Sequence, residues 1–298
     1  MQWTPGESGN DIEDRRDESG GGGGFGGGGF GGGGGFGGVH LGIGGTILLG
    51  ILSLVFHDNL FRVFSGDSST AAPAVRSSPD TAKDAAERPE VDFVTFVLND
   101  VQKTWDRMLP EQENVSYRHA KLVLYRDAYP SGCGTAQTST GPFYCPEDQK
   151  VYLDLGFFNE LKTRFGAPGE FAQAYVIAHE IGHHVQKLLG IEPKVRRLQQ
   201  QDPGEVNALS VRLELQADCF AGVWGHSTEQ RQITNDQDVS AAIRAAAAVG
   251  DDRLQRAGRG YVNPETFTHG SSAQRVQWFQ RGLQSGKVGD CNTFQTTR

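Results

Sequence analysis

A mainly helical α+β domain with a small sheet, preceded by one transmembrane helix, is the fold class this sequence predicts. Three observations carry it. Apolar residues recur at helical spacing through Val91–Met108, through the stretch from Glu170 to Leu189, through Val206–Trp224 and through Ser271–Gln284. Two short apolar runs bounded by turn residues, within Lys121–Arg126 and Lys150–Asp154, have the length of strands. One run, Val39–Phe56, holds no Asp, Glu, Lys or Arg across 18 residues.

The chain has 298 residues, a net charge of −8 and a pI near 5.5. That length suits one or two domains. No basic cluster occurs, and an acidic balance opposes phosphate, so nucleic acid is excluded as a partner. Residues 1–38 read as a disordered arm. The first 19 are polar and charged, with Arg15 and Arg16 among several acids. Gly20–Gly38 is glycine broken by Phe25, Phe30 and Phe36, and such a tract buries too little apolar surface to offset its ordering entropy. Residues 39–60 follow as a single membrane span, just long enough to cross. The run starts late and lacks a small-residue cleavage site, unlike a signal peptide. Residues 61–89, rich in Ser, Ala, Pro and Asp, read as a linker, and the folded domain takes 90–298.

Positive charge does not orient the span, because Arg15 and Arg16 precede it while Arg62 and Arg76 follow it. The cysteines do. Cys133, Cys145, Cys219 and Cys291 all follow the span, and an even count suggests two disulfides in an exported domain. Three pairings are possible. Closeness in sequence favours Cys133 with Cys145, leaving Cys219 with Cys291. The expected location is therefore the cell membrane, with the C-terminal domain outside the cytoplasm.

Within the domain, Val91–Met108 is the first amphipathic helix, followed by the strand in Lys121–Arg126. Gly132–Gly141 reads as a loop, Lys150–Asp154 as a strand and Phe157–Phe165 as a short helix. The stretch that follows, AYVIAHEIGHHVQ, holds His179, Glu180 and His183 as H-E-x-x-H. Residues i and i+4 share a helix face, so both imidazoles can reach one metal ion. Glu180 projects beside them, where it can take a proton from water. Gly182 gives up helix propensity and lets another segment approach. His184 points about 100° away from His183 and reads as a packing or supporting residue.

Ile191–Gly204, with Pro193 and Pro203, reads as a polar connection to the next helix. That helix carries Glu214 and Asp218 four residues apart, on one face. Glu has the reach to be a third ligand, and the shorter Asp suits a hydrogen bond to the His179 ring. Leu189 occupies the position a third His would need. Three protein ligands leave one position open, as in catalytic zinc sites. Asp236–Val249 is a further helix and Arg259–His269 a loop. The last helix starts at Ser271 or Ser272 as N-cap. In that loop, His269 is a candidate donor to a developing oxyanion, with Arg275 as an orienting residue and Tyr261 as a weaker candidate donor.

AYVIAHEIGHHVQ, GPFYCPEDQKVYLDLGFF, LELQADCFAGVW and FTHGSSAQRVQWFQRG together resemble the bacterial neutral zinc metallopeptidase family, membrane-anchored proteins of the zincin group. The resemblance runs from about Val91 to Cys291. It implies a zincin-like fold, one Zn²⁺ ion and a peptide or protein substrate. On this reading His179, His183 and Glu214 hold the metal, and Glu180 and His269 are catalytic. The alternatives are a membrane-tethered scaffold that keeps the fold without catalysis, and a hydrolase of non-peptide amides.

Overall fold

The computed structural model describes residues 1–18 and 81–295. The glycine tract and the expected span 39–60 lie outside the described residues. Among the described residues no helix is long and apolar enough to cross a membrane.

The elements run β1 (Ile12–Asp14), α1 (Thr81–Glu113), β2 (Lys121–Tyr125), β3 (Ala128–Ser131), β4 (Gly134–Gln137), β5 (Phe143–Cys145) and β6 (Lys150–Asp154). Helices α2 (Gly156–Thr163), α3 (Glu170–Leu188), α4 (Ile191–Gln201), α5 (Val206–Gln230), α6 (Asp236–Ala248), α7 (Asp251–Arg259) and α8 (Ser272–Ser285) follow. This is the expected mainly helical α+β class.

One sheet has the order β1-β2-β6-β5. β1, β2 and β6 are parallel, and β5 closes the edge antiparallel to β6. Period-2 alternation sorts its side chains. Leu122, Leu124, Val151 and Leu153 face the helices. Val123, Tyr125 and Tyr152 face the β3–β4 hairpin in a second, smaller cluster. Buried on both faces, the sheet uses apolar residues on both, as such strands must.

The helices stack on the first face. Val94, Val97, Leu98, Val101 and Trp105 of α1 are fully buried, as are Ala172, Ala174, Ile181 and Val185 of α3. α5 and α8 touch almost backbone to backbone. A Cβ at Gly282 would lie 1.9 Å from the Cys219 carbonyl oxygen, and one at Gly222 would lie 2.1 Å from that of Phe279. Two disulfides brace this packing, Cys133–Cys145 and Cys219–Cys291. The first ties the hairpin to β5, and the second fastens the C-terminal segment to α5.

Several expectations are corrected. Residues 1–18 belong to the fold. β1 pairs in register with β2, Trp3 packs edge-on against Phe93 at 5.3 Å, and Arg16 is buried between Asp14 and Glu87. The domain also begins before residue 90, since α1 starts at Thr81 and runs through Pro89. Its polar first turns are held by tertiary charge pairs, Arg126 reaching Asp84 at 2.5 Å and Glu87 at 2.6 Å. The polar stretch after Gly190 is helix α4. Pro193 sits in its first turn, where a missing N–H costs nothing. The loop Gly132–Gly141 contains β4, and α7 fills the space between α6 and the His269 loop. Ser271 is the N-cap of α8, its hydroxyl accepting from the Gln274 N–H.

Candidate metal centre

α3 is the floor of the site, and Gly182 decides how α5 lies on it. A Cβ there would meet the Ala217 carbonyl oxygen at 3.0 Å and its Cα at 3.1 Å. The bare glycine thus lets α5 settle with Glu214 and Asp218 above His179 and His183. One ligand atom from each of His179, His183 and Glu214 falls in a group whose members all lie within 4.8 Å of one another.

Each imidazole is aimed from behind. His179 Nδ1 donates to Asp218 Oδ1 at 2.9 Å, which turns Nε2 towards Glu214 Oε2 at 3.2 Å. His183 Nδ1 donates to Gln186 Oε1 at 2.9 Å, leaving its Nε2 3.5 Å from Glu214 Oε1. The Gln186 amide is itself fixed, donating to the Leu213 carbonyl at 2.7 Å. Such partners set tautomer and ring orientation at metal sites.

Asp218 is the hub behind His179. It is fully buried and accepts two parallel hydrogen bonds from Arg275, Nε to Oδ2 at 2.8 Å and Nη2 to Oδ1 at 2.9 Å. The Tyr175 hydroxyl also donates to it. Arg275 therefore acts through Asp218. Burial favours the uncharged carboxyl, but Arg275 and His179 together hold Asp218 below its usual range.

The titration of this cluster suits a cation. Burial alone would push the His179 imidazole down, yet Asp218 and Glu214 hold it up at about 10. Burial would raise the Glu214 carboxyl, while His183, His269 and His179 hold it well below its usual value. His183 is pushed down, chiefly by burial. A group that draws a proton onto an imidazole carries excess negative charge, and a divalent cation would displace that proton on binding. Two imidazoles and one carboxylate, with space on the fourth side, form a donor set that zinc takes in catalytic sites.

Glu180 lies beside this group with little exposure. Burial, reinforced by Glu214, raises its carboxyl to about 7, against opposing effects from His179 and the Tyr144 backbone N–H. That N–H belongs to β5, the sheet edge over the cleft. Tyr144 is held there by His184, whose Nδ1 accepts from the Tyr144 hydroxyl at 2.9 Å and whose Nε2 donates to the Arg118 carbonyl at 2.6 Å. His184 is thus the bolt between the metal helix and the edge strand.

His269 also reaches the cleft. Its Nδ1 donates to Asp251 Oδ1 at 3.3 Å, and Asp251 Oδ2 accepts the backbone N–H groups of Thr268, His269 and Gly270 at 2.7, 2.7 and 3.0 Å. Tyr261, by contrast, is 62% exposed and away from the cleft walls. The cleft opens to solvent, with Glu180 and the three candidate ligands on its floor and Phe143, Phe157, Phe165, Val176 and Leu254 among its apolar walls.

Tyr175, Gln186, Tyr144 and Asp251 were not singled out from the sequence. Tyr175 precedes His179 by four residues and Gln186 follows His183 by three, so helical spacing could have flagged both. Tyr144 and Asp251 had no such signal.

A family model described as "Putative neutral zinc metallopeptidase" matches residues 1–294. The chain is 45% identical over 301 aligned positions to "Uncharacterized protein YpfJ" of Escherichia coli (strain K12), covering 99% of each chain. It is 45% identical over 207 positions to "Uncharacterized protein Rv2575" of Mycobacterium tuberculosis (strain ATCC 25618 / H37Rv), covering 66% of this chain and 68% of that one. No solved structure matches the chain significantly.

Proposed function

Because the chain belongs to the putative neutral zinc metallopeptidase family, we propose that it hydrolyses peptide bonds at the His179–His183–Glu214 cluster with one zinc ion as cofactor. The observation that carries this reading is the buried Glu180 carboxylate beside a group able to hold a metal, at the floor of an open cleft. A site retained only for structure has no use for that carboxylate, since its burial is costly and the Tyr144 backbone N–H offsets that cost only in part.

His179 Nε2, His183 Nε2 and a Glu214 oxygen would hold the ion. When bound, zinc would polarise the scissile carbonyl and lower the pKa of a water. Glu180 takes a proton from the attacking water and passes it to the leaving amine. Burial raises this carboxyl in the metal-free site, which favours its holding the proton between the two steps, while a bound cation would oppose that rise. His269, its Nδ1 tied to Asp251, turns Nε2 to the cleft and donates to the carbonyl oxygen as negative charge develops there. The substrate lies extended along the free edge of β5, where added-strand pairing supplies main-chain hydrogen bonds. Apolar side chains flanking the scissile bond suit the walls formed by Phe157, Phe165 and Val176. On this reading the fold is zincin-like. Both disulfides favour an oxidising compartment, outside the cytoplasm.

The test compares the wild type with Glu180→Gln for zinc content and for cleavage of a peptide library read by mass spectrometry. The variant is expected to keep zinc and lose roughly 10²-fold or more in rate, the usual scale for a general base. Equal turnover would overturn the mechanism.

A further inference from the structure

The sequence places one membrane span between two parts of the chain that the structure joins into a single fold. β1 adds to the sheet by pairing Ile12, Glu13 and Asp14 with Leu122, Val123 and Leu124. The ladder extends at both ends, with the Leu122 N–H donating to the Asp11 carbonyl at 2.8 Å and the Arg15 N–H to the Leu124 carbonyl at 2.8 Å. Without β1, the backbone groups of β2 would form an open sheet edge.

Side chains fasten the same segment along its length. Lys121 Nζ reaches Asp11 at 2.7 Å, Lys150 Nζ reaches both Glu13 oxygens at 2.8 and 2.9 Å, and Asn99 donates to Glu7 at 2.7 Å. The Gln2 N–H donates to the Ile233 carbonyl at 2.7 Å, on the far side of the domain. The segment that ends at Glu18 and the helix that starts at Thr81 meet at one corner. There the buried Arg16 guanidinium donates to Glu87 at 2.7 Å, and Arg126 reaches both Glu87 and the Arg16 carbonyl.

Two parts that share a sheet share a compartment. Val39–Phe56 has the length for one crossing, at about 1.5 Å per helical residue against roughly 30 Å of hydrocarbon. A return crossing has no segment to use. Residues 57–80 carry Asp58, Arg62, Asp67, Arg76 and Asp80, and the stretch before the run is nearly all glycine.

We propose that residues 1–18 and 81–295 lie on the same side of the membrane, because they build one sheet. This departs from the single crossing expected from the sequence, and it does not depend on the hydrolytic reading. It also places the cleft on the same membrane face as the N-terminal segment.

The test uses the full-length chain in cells. Ser8→Cys reports on the N-terminal segment and Lys194→Cys on the domain. Both positions are exposed, and among the described residues the native cysteines are all paired. Labelling by a membrane-impermeant maleimide is compared in intact spheroplasts and after lysis, with Thr4→Cys as a second N-terminal reporter should Ser8→Cys not accumulate. The expected result is that the two positions are labelled together or protected together, their labelling ratio unchanged by lysis. One position labelled and the other protected until lysis would overturn the proposal.

Discussion

Asp251 holds His269 with both carboxylate oxygens. Oδ1 faces the His269 Nδ1 at 3.3 Å, while Oδ2 gathers three consecutive backbone N–H groups of the loop carrying that histidine. The loop is therefore fixed by one side chain at the start of α7, which shares the His269 Nδ1 with the Thr268 hydroxyl at 3.1 Å. Asp251→Ala is expected to lower the rate of peptide hydrolysis as far as His269→Ala does, roughly 10²–10³-fold, the scale for a lost oxyanion donor. The double variant should be no slower than either, because residues acting as one unit are not additive. Zinc content should stay at the wild-type level in all three. Additive losses would show that Asp251 acts elsewhere.

Glu214 and Asp218 share a helix face, yet their removal should have opposite signatures. Glu214 lies among the imidazoles of His179, His183 and His269 and pairs with no buried guanidinium among the described residues, so Glu214→Ala should abolish zinc retention while the metal-free protein melts close to the wild type. Asp218 is fully buried and neutralises Arg275, itself 3% exposed. Asp218→Ala should weaken zinc binding about 10–100-fold. It should also cost about 3–5 kcal/mol of stability, because it strands a buried cation. Metal analysis and melting of the metal-free proteins separate the two. A metal-free Asp218→Ala as stable as the wild type would refute the stranded-charge argument.

What the sequence discloses here follows from helical spacing. His179, Glu180 and His183 are legible because one helix places them, and Glu214 with Asp218 because another does. Asp251 was illegible. It meets His269 across 18 residues of chain through a loop closure, with no period linking them. β1 was equally hidden. Three residues, Ile12, Glu13 and Asp14, carry no alternation of their own, and their extended form comes from pairing with β2. The start of α1 was masked by Pro89 and a polar stretch whose helical form is held by Arg16 and Arg126. α4 was masked by Pro193 and by a narrow apolar face, on which Val195 is the buried apolar residue.

α5 and α8 meet through glycines, and Arg275, which fixes Asp218, rides on α8. With a Cβ at Gly282 placed 1.9 Å from a backbone carbonyl of α5, Gly282→Ala must push the helices apart. The expected cost is at the upper end of the roughly 1–3 kcal/mol seen for overpacking. That corresponds to a melting temperature lower by roughly 5–10 °C for a domain of this size. Gly289→Ala, where nothing lies within 4 Å of the added Cβ, is the control and should melt like the wild type. Equal melting of both variants would mean that the helices are not packed this tightly.

His119 joins the N-terminal segment to the domain, its Nδ1 2.6 Å from Asp11 Oδ2 and its Nε2 2.8 Å from Asp106 Oδ2. Burial pushes the imidazole down, but hydrogen bonds and charge from Asp106 and Asp11 more than offset this and raise it above its usual value. A raised folded-state value means the contribution is complete below the unfolded value of about 6.5 and is lost as pH rises through the folded one. Asp11 has the opposite sense. Burial would raise it, but Lys121 and His119 hold it below its usual range. Its contribution is present above the unfolded value of about 3.9 and is lost as pH falls through the folded one. The seam is therefore strongest between the two. His119 is 40% exposed, so solvent screening limits the pair to about 1 kcal/mol or less. Denaturant titrations of wild type and His119→Ala should show their largest stability difference at about pH 5–6, shrinking as pH rises through the raised folded-state value and the imidazole loses its proton. A difference that grows with pH would mean that His119 is held neutral in the folded protein, and that Asp11 is bound without it by Lys121 and by the Gln102 amide, which donates to Asp11 Oδ2 at 3.0 Å.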